Sequence, residues 1–365
     1  MIARLGVEVG LLTPGNWKNL GGLFHGQPAP VEEPEADPEI RVFSARAIRP
    51  GHIASYLFDP LAIRRILRAF RPDVIQIEQE VYSFVAAQFA LQRLAAQRLV
   101  VFSWENLDRP VHLLQRIARR AALRRVDAVI SGNRAGAELM RRWGFRGRVE
   151  VLPQVGVNPE RYPERPHGAE GTPLRIGFVG RMVPEKGGAL LLRAAAQLAA
   201  RGLDFRLMFC GSGPCEAQWR SLGDSLGIGS RIDWHGSVPH AEVPRFMAQM
   251  DMLVLPSQAT PTWSEQFGLV LPQAMLVGMP VIGSDCGAIP EVIGLPDAIF
   301  PEGNGDALTA ILDRLLRSAD LRSEWRMRGR QRALAEYSAG HIAAETIRIW
   351  ESLKVASSHR PRSRG

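Results

Sequence analysis

Short apolar runs alternate along this chain with longer stretches whose apolar residues recur every three or four positions, the pattern of a parallel sheet covered by helices on both faces. The runs predict strands over 7–12, 74–78, 99–103, 128–131 and 149–152. A polar, proline-rich stretch over 158–173 follows, and the rhythm then restarts at 174–179, 205–210, 232–235, 252–255, 280–284 and 298–300. That restart predicts an α/β protein of two Rossmann-like, doubly wound domains, 1–157 and 158–336, facing each other across a cleft with ligands at the carboxyl ends of the strands. A last helical pattern, broken near 337–340, predicts a helix over 337–356 that crosses back to the first domain, ahead of a disordered polar tail at 357–365.

Composition narrows the class without naming a chemistry. The 365 residues, 46% of them hydrophobic, suffice for two packed cores. Three cysteines, Cys210, Cys215 and Cys286, make neither an even framework nor a C-x-x-C pair, which argues against a disulfide scaffold or zinc site and for a reducing cytosol. There is no apolar stretch long enough to span a bilayer and no signal-peptide pattern at the N-terminus. The net charge of +8 comes almost wholly from arginine, since the lysines are Lys18, Lys186 and Lys354 alone. Such a bias weakens any argument from arginine counts, and no helix-turn-helix, zinc or RNA-binding aromatic pattern supports a nucleic-acid partner. It sharpens the argument from Lys186, a compact point charge suited to phosphate.

Two loops carry candidate chemistry. After the run at 174–179 come Gly180 and Arg181, then Lys186 and Gly187 at the head of an apolar helix, so that free N–H groups, the helix dipole and two cations converge where a diphosphate could sit. After the run at 252–255, a loop brings Glu265 just ahead of a helix expected to start near Gly268. Glu265 can complement that helix dipole, or accept hydrogen bonds from sugar hydroxyls while the amides of Phe267, Gly268 and Leu269 donate to the same ring. On a helix begun at Glu265, Gln273 would project about 80° away, near enough to line one pocket. In the first domain, Glu105 and Asn106 follow a strand and could face an acceptor or serve as cap and loop bonds; Glu78 and Glu80 read as exposed loop acids. The segment 113–126 sets Arg116, Arg119, Arg120 and Arg124 on one helical arc and Leu114, Ile117, Ala118, Ala121 and Ala122 on another, a face for anionic lipid or, equally, for the core.

Taken in order, Gly177 to Arg181 with Lys186-Gly187, Gly211-Ser212-Gly213-Pro214, His235 to Val238, Pro256-Ser257, Glu265 to Met275, and Gly278 to Ile282 with Gly287 and Glu291 resemble the second domain of retaining GT-B glycosyltransferases of the family-four group. The first domain is similar more loosely, at Pro72 to Ile75, Ser103 to Asn106 and Val151 to Val157. The resemblance implies transfer of a sugar from a nucleotide-sugar donor to a saccharide or lipid-linked acceptor with retention, in cell-surface polysaccharide or glycolipid synthesis. Arg181, Lys186 and Glu265 become the catalytic residues. Gly180, Val238, Phe267, Gly268, Leu269 and Gln273 complete the donor site, with Val238 bordering the base and Gln273 meeting the ribose, and Glu105 and Asn106 fall on the acceptor side. It implies no cofactor and no obligatory metal. The cysteine count and the basic arc of 113–126 add the expectation of a cytoplasmic protein, peripheral at the inner face of an anionic membrane.

Two departures qualify that expectation. Gln273 stands where the family has a second glutamate, so Gln273→Glu is expected to tighten donor binding or leave it unchanged. The N-terminal domain is expected to be incomplete: residues 1–14 resemble the end of the first helix and the second strand, and the first strand with its Gly-rich loop has no counterpart. A central strand's loss would leave neighbours with unpaired backbone groups, through either a start placed downstream of the true one or an impaired remnant. A catalytically impaired nucleotide-sugar-binding or scaffold protein is therefore the alternative.

Overall fold

A computed structural model describes residues 1–17, 39–52, 54–165 and 173–358; Lys18, most of the tail expected at 357–365 and part of the proline-rich stretch lie outside them. The chain divides into two compact units, residues 1–154 with 342–365, and residues 155–341. The division falls just ahead of 157 because Val157 pairs with the 337–339 segment: its N–H donates to Tyr337 O at 2.8 Å, and the Ala339 N–H donates to Val157 O at 2.9 Å. Among the described residues no helix is long and apolar enough to cross a membrane.

The first unit contains β1 (Val9–Pro14), β2 (Ile40–Ala45), β3 (Ala47–Ile48), β4 (Leu57–Phe58), β5 (Val74–Ile77), β6 (Arg98–Ser103), β7 (Ala128–Ser131) and β8 (Arg148–Val151). Strands β5 to β8 form one parallel sheet in chain order. Strand alternation gives the sheet two buried faces: Leu99, Val101 and Val129 enter one core, and Val100, Phe102, Ala128 and Ile130 enter another with Ile342, Ile349 and Leu353. The latter three belong to the helix Ala339–Ser358, which thus covers one face of this sheet. Trp350 adds a directed bond, its ring N–H donating to Gln76 Oε1 at 2.7 Å. Among the described residues, strands β1 and β2 are parallel and pair only with each other, and β5 is an edge of its sheet. The apolar pattern missed β2, β3 and β4, which are short or lack a continuous apolar run.

The second unit is one six-stranded parallel sheet of β9 (Leu174–Val179), β10 (Phe205–Cys210), β11 (Ile232–Trp234), β12 (Met252–Leu255), β13 (Val281–Ser284) and β14 (Ile299–Phe300), in the order β11-β10-β9-β12-β13-β14. This is a doubly wound order that reverses between β9 and β12, where such sheets bind ligands. Aromatic packing fixes one face: Phe178 stacks on Phe209 at 5.2 Å, Phe209 on Trp234 at 4.6 Å, and Trp219 meets Phe178 edge-on at 5.6 Å. The helix Gly188–Ala200 begins so close to the Trp219 ring that its first residue has no room for a Cβ.

Candidate functional site

The loops leaving β9, β10 and β11 form a continuous rim. Gly180 N–H donates to Cys210 O at 2.9 Å, Met182 N–H to Ser212 O at 2.9 Å, and Gly211 N–H to Gly236 O at 2.7 Å. The hydroxyls of Ser212 and Ser237 lie 2.8 Å apart. Val238, half-buried, hydrogen-bonds through its backbone to the Cys210 thiol, whose pKa burial raises. Arg181 is exposed on this rim, and its side chain pairs with no described residue.

The loop after β12 closes on the helix head after β9. Lys186 ends a 3-10 turn, Pro184–Lys186, and Gly187 takes a left-handed φ of 68° before the helix Gly188–Ala200. A Cβ on Gly187 would collide with the Pro256 carbonyl, so the close approach itself selects glycine. Across the junction the Gln258 N–H donates to Glu185 O at 2.8 Å. Lys186 Nζ reaches Glu265 Oε2 at 2.6 Å, and the same oxygen accepts from Ser257 Oγ at 3.0 Å. The ammonium also sits 5.1 Å from the centre of the Trp263 ring. Glu265 is buried and Ser257 entirely so. The Glu265 carbonyl is fixed in turn by the Ala288 N–H at 2.9 Å, beside Gly287 at φ 57°, where a Cβ would strike Glu265 O and Ser264 Oγ.

The geometry around Gln273 differs from the expected helix projection. Gly268 has φ 73°, and the helix is Val270–Val277, so the segment from Glu265 to Leu269 is a loop and the 80° relation does not apply. Phe267 turns its ring inward against Tyr337 at 5.6 Å. The N–H groups of Gly268 and Leu269 donate to no described residue. Gln273 is buried facing the Tyr162 hydroxyl, whose pKa is raised by burial and pulled back in part by Arg161 and Gln273, although that hydroxyl is not in hydrogen-bonding geometry with any described residue. Ser257 and Trp263 are the members that sequence reasoning left without a role; Ser257 lies in the quoted Pro256-Ser257 pair, whereas nothing in the spacing of Trp263 marks it. A separate cavity of about 310 Å³, lined by Ile293, Leu295, Trp325 and Arg332 among others, shares no residue with this site.

In the first unit, Glu105 and Asn106 are buried at the carboxyl end of β6. Glu105 Oε2 accepts from Arg109 at 2.6 Å and from the Tyr82 hydroxyl at 3.1 Å. Glu80 is not an exposed loop acid: its carboxylate accepts from Ser103 Oγ and from the Trp104 N–H. Burial, with a smaller push from Glu105, raises its pKa to about 7 against those two bonds. Glu78 is exposed, as expected, and accepts from Gln154 at 2.5 Å.

Residues 163–332 match the family Glycosyl transferases group 1, and residues 1–154 match the Glycosyl transferase 4-like domain. The chain belongs to the group 1 glycosyltransferases. As such a glycosyltransferase it is 28% identical over 314 residues to the 2-deoxystreptamine glucosyltransferase of Streptomyces kanamyceticus, covering 79% of each chain. It is 30% identical over 271 residues to the 2-deoxystreptamine N-acetyl-D-glucosaminyltransferase of Streptomyces fradiae, a match covering 66% of this chain and 62% of that relative, less than two thirds of the relative's length. Its fold, GT-B, is shared with Anabaena HepE solved in complex with UDP, at a TM-score of 0.67 and 19% identity over 86% of both chains.

Proposed function

We propose that this glycosyltransferase takes its sugar from a nucleotide-sugar donor and passes it, with retention of configuration, to a saccharide or lipid-linked acceptor in cell-surface polysaccharide or glycolipid synthesis. The observation that carries the reading is the Lys186–Glu265 contact, because it puts a cation at a helix head and an acid ahead of a second helix at the switch point of one parallel sheet. In this reading Lys186 and Arg181 hold the diphosphate and stabilise charge developing on the leaving oxygen. Glu265 and the Gly268 and Leu269 amides hold the sugar hydroxyls, Val238 borders the base and Gln273 meets the ribose. The departing phosphate accepts the proton of the acceptor hydroxyl, so no enzymic nucleophile is required. The UDP bound by HepE and the GDP-mannose named for a Mycolicibacterium smegmatis relative support a nucleoside-diphosphate sugar as the donor class. The proposed working place is the cytoplasm, at the inner face of the membrane.

The test is a thermal-shift screen of the full chain against UDP-, GDP- and dTDP-sugars, followed by proton NMR of the anomeric centre of any product. A true donor at 100 times its Kd stabilises the fold by about 2.7 kcal/mol. No shift with any nucleotide sugar, or an inverted product, overturns the donor or the retention assignment respectively. The second reading, a nucleotide-sugar-binding protein without transfer, is favoured by one observation: among the described residues the strands β1 and β2 pair with each other and not with the β5–β8 sheet. Binding without product over long incubation would select it.

A further inference from the structure

The helix Leu113–Leu123 carries Arg116, Arg119 and Arg120. On three other helices arginines meet an acid one turn away, as in Arg220–Glu216, Arg317–Asp313, Arg328–Glu324 and Arg332–Glu336, whereas neither Leu113–Leu123 nor Pro60–Phe70 contains an acid. Leu113–Leu123 has the sequence LLQRIARRAAL and carries no acid at all. Its exposed edge repeats cations at Arg116, Arg120 and the C-capping Arg124, one turn apart, and none of the three forms an ion pair with a described residue. Like charges at that spacing repel, so the edge lacks internal compensation.

Beside the cations runs an apolar edge that the fold leaves uncovered. The helix faces the core with Ala118 and Ala122, which are 7% and 0% exposed. Leu113, Leu114 and Ile117 are 69%, 64% and 54% exposed. The apolar arc read from the sequence is thus two different faces, alanine inward and larger side chains outward. The basic arc also divides: Arg119 stacks over Trp143 at 4.2 Å, where desolvation lowers its pKa, and it leaves the exposed edge to the other three.

We propose that this helix is the membrane-seating element of the protein: Leu113, Leu114 and Ile117 enter the headgroup–acyl boundary of an anionic bilayer while Arg116, Arg120 and Arg124 bind its phosphates. Charge complementarity selects the occupant, since an edge of unpaired cations needs an anionic partner, and the adjoining large apolar side chains favour lipid over nucleic acid. Either signal alone binds a bilayer weakly; together they anchor reversibly. The inference deepens the membrane-side placement proposed above. It involves no donor-site residue, so its failure leaves the donor reading standing.

The experiment floats the full chain, without nucleotide sugar, on vesicles of phosphatidylglycerol and phosphatidylcholine and on phosphatidylcholine alone. Binding to the anionic vesicles is expected, with little to the neutral ones, and a loss of about tenfold in partitioning for both L114E/I117E and R116E/R120E. Circular dichroism checks that the variants fold. Hydrogen exchange of the unaltered chain supplies a readout without variants: vesicles should protect residues 113–124. Absence of binding to anionic vesicles, or protection confined to other segments, overturns the proposal. So does loss in R116E/R120E alone, which would mean adsorption by charge without insertion. A dimer in analytical ultracentrifugation that L114E/I117E dissolves while vesicle binding persists would assign the face to a second copy instead, and a nucleic-acid oligomer bound through the same arginines with no vesicle binding would likewise reject the lipid assignment.

Discussion

Lys186 and Glu265, 79 residues apart in sequence, meet at 2.6 Å with Ser257 as a third partner and the Trp263 ring beside the ammonium. Each charge is nearly desolvated, with 15% of the lysine side chain and 9% of the glutamate side chain exposed, so the pair is both a positioning device and a liability. Removing one partner leaves the other buried without its counter-charge, a change that costs about 3–5 kcal/mol.

Lys186→Met is therefore expected to lower both stability and transfer. If the ammonium stabilises the leaving phosphate, kcat/KM falls by about 10²- to 10³-fold. The double variant K186M/E265Q should melt higher than Lys186→Met alone, because it leaves no unpaired charge. A double-mutant cycle on urea midpoints measures the coupling, and strictly additive losses would show that the contact carries no energy.

Gly287→Ala tests how Glu265 is held. The new Cβ meets Glu265 O and Ser264 Oγ at a residue already in the left-handed region, so the loop must shift. A loss of about 1–3 kcal/mol in stability is expected, together with weaker binding of whichever nucleotide sugar the screen identifies. Wild-type affinity in a folded Gly287→Ala protein would detach the backbone of Glu265 from donor binding.

Glu80 gives a pH dependence whose sign is fixed. The unfolded chain releases this proton near the ordinary value of 4.5, while the folded chain keeps it until about 7. Between those values the native state holds more protons, so this carboxyl's contribution to stability falls as pH rises from 4.5 to 7 and then levels off. Glu80→Gln, which cannot ionise, should melt level with the wild type or below it at pH 5 and gain on it by a few degrees at pH 8. An unchanged difference in Tm between pH 5 and pH 8 would rule out burial of a neutral Glu80.

Asp251 ties the start of the second unit to its sheet. It accepts from Arg165 at 2.6 Å and from the Arg175 N–H at 2.7 Å, with its side chain fully buried. Asp251→Ala removes the counter-charge of the Arg165 guanidinium, which is only 10% exposed and keeps its bond to Met250 O, and should destabilise the protein by about 3–5 kcal/mol in chemical denaturation.

Much of the second unit was legible in the chain. Its six strands read directly because a sheet buried on both faces needs continuous apolar runs, which Leu174 to Val179 and Met252 to Leu255 supply. The glycines that follow β9 and β10 likewise announce tight loops. The first unit was less legible. Ile40–Ala45 interleaves polar with apolar residues in a partly exposed two-stranded sheet, and its pattern carries little signal.

What the sequence determined by itself is the order of strands in the second unit, the restart that divides the chain, and which loops carry a cation, an acid and glycines, because periodicity and residue chemistry are local properties. Tertiary structure alone decided that Lys186 reaches Glu265 and that Ser257 shares the carboxylate. It also decided that Glu80 is half-buried and bonded to Ser103 and Trp104, and that Ala118 faces inward while Leu114 faces solvent. Those outcomes depend on which segments the sheet order brings side by side, and a helical arc looks the same in sequence whether a core or an open surface lies against it.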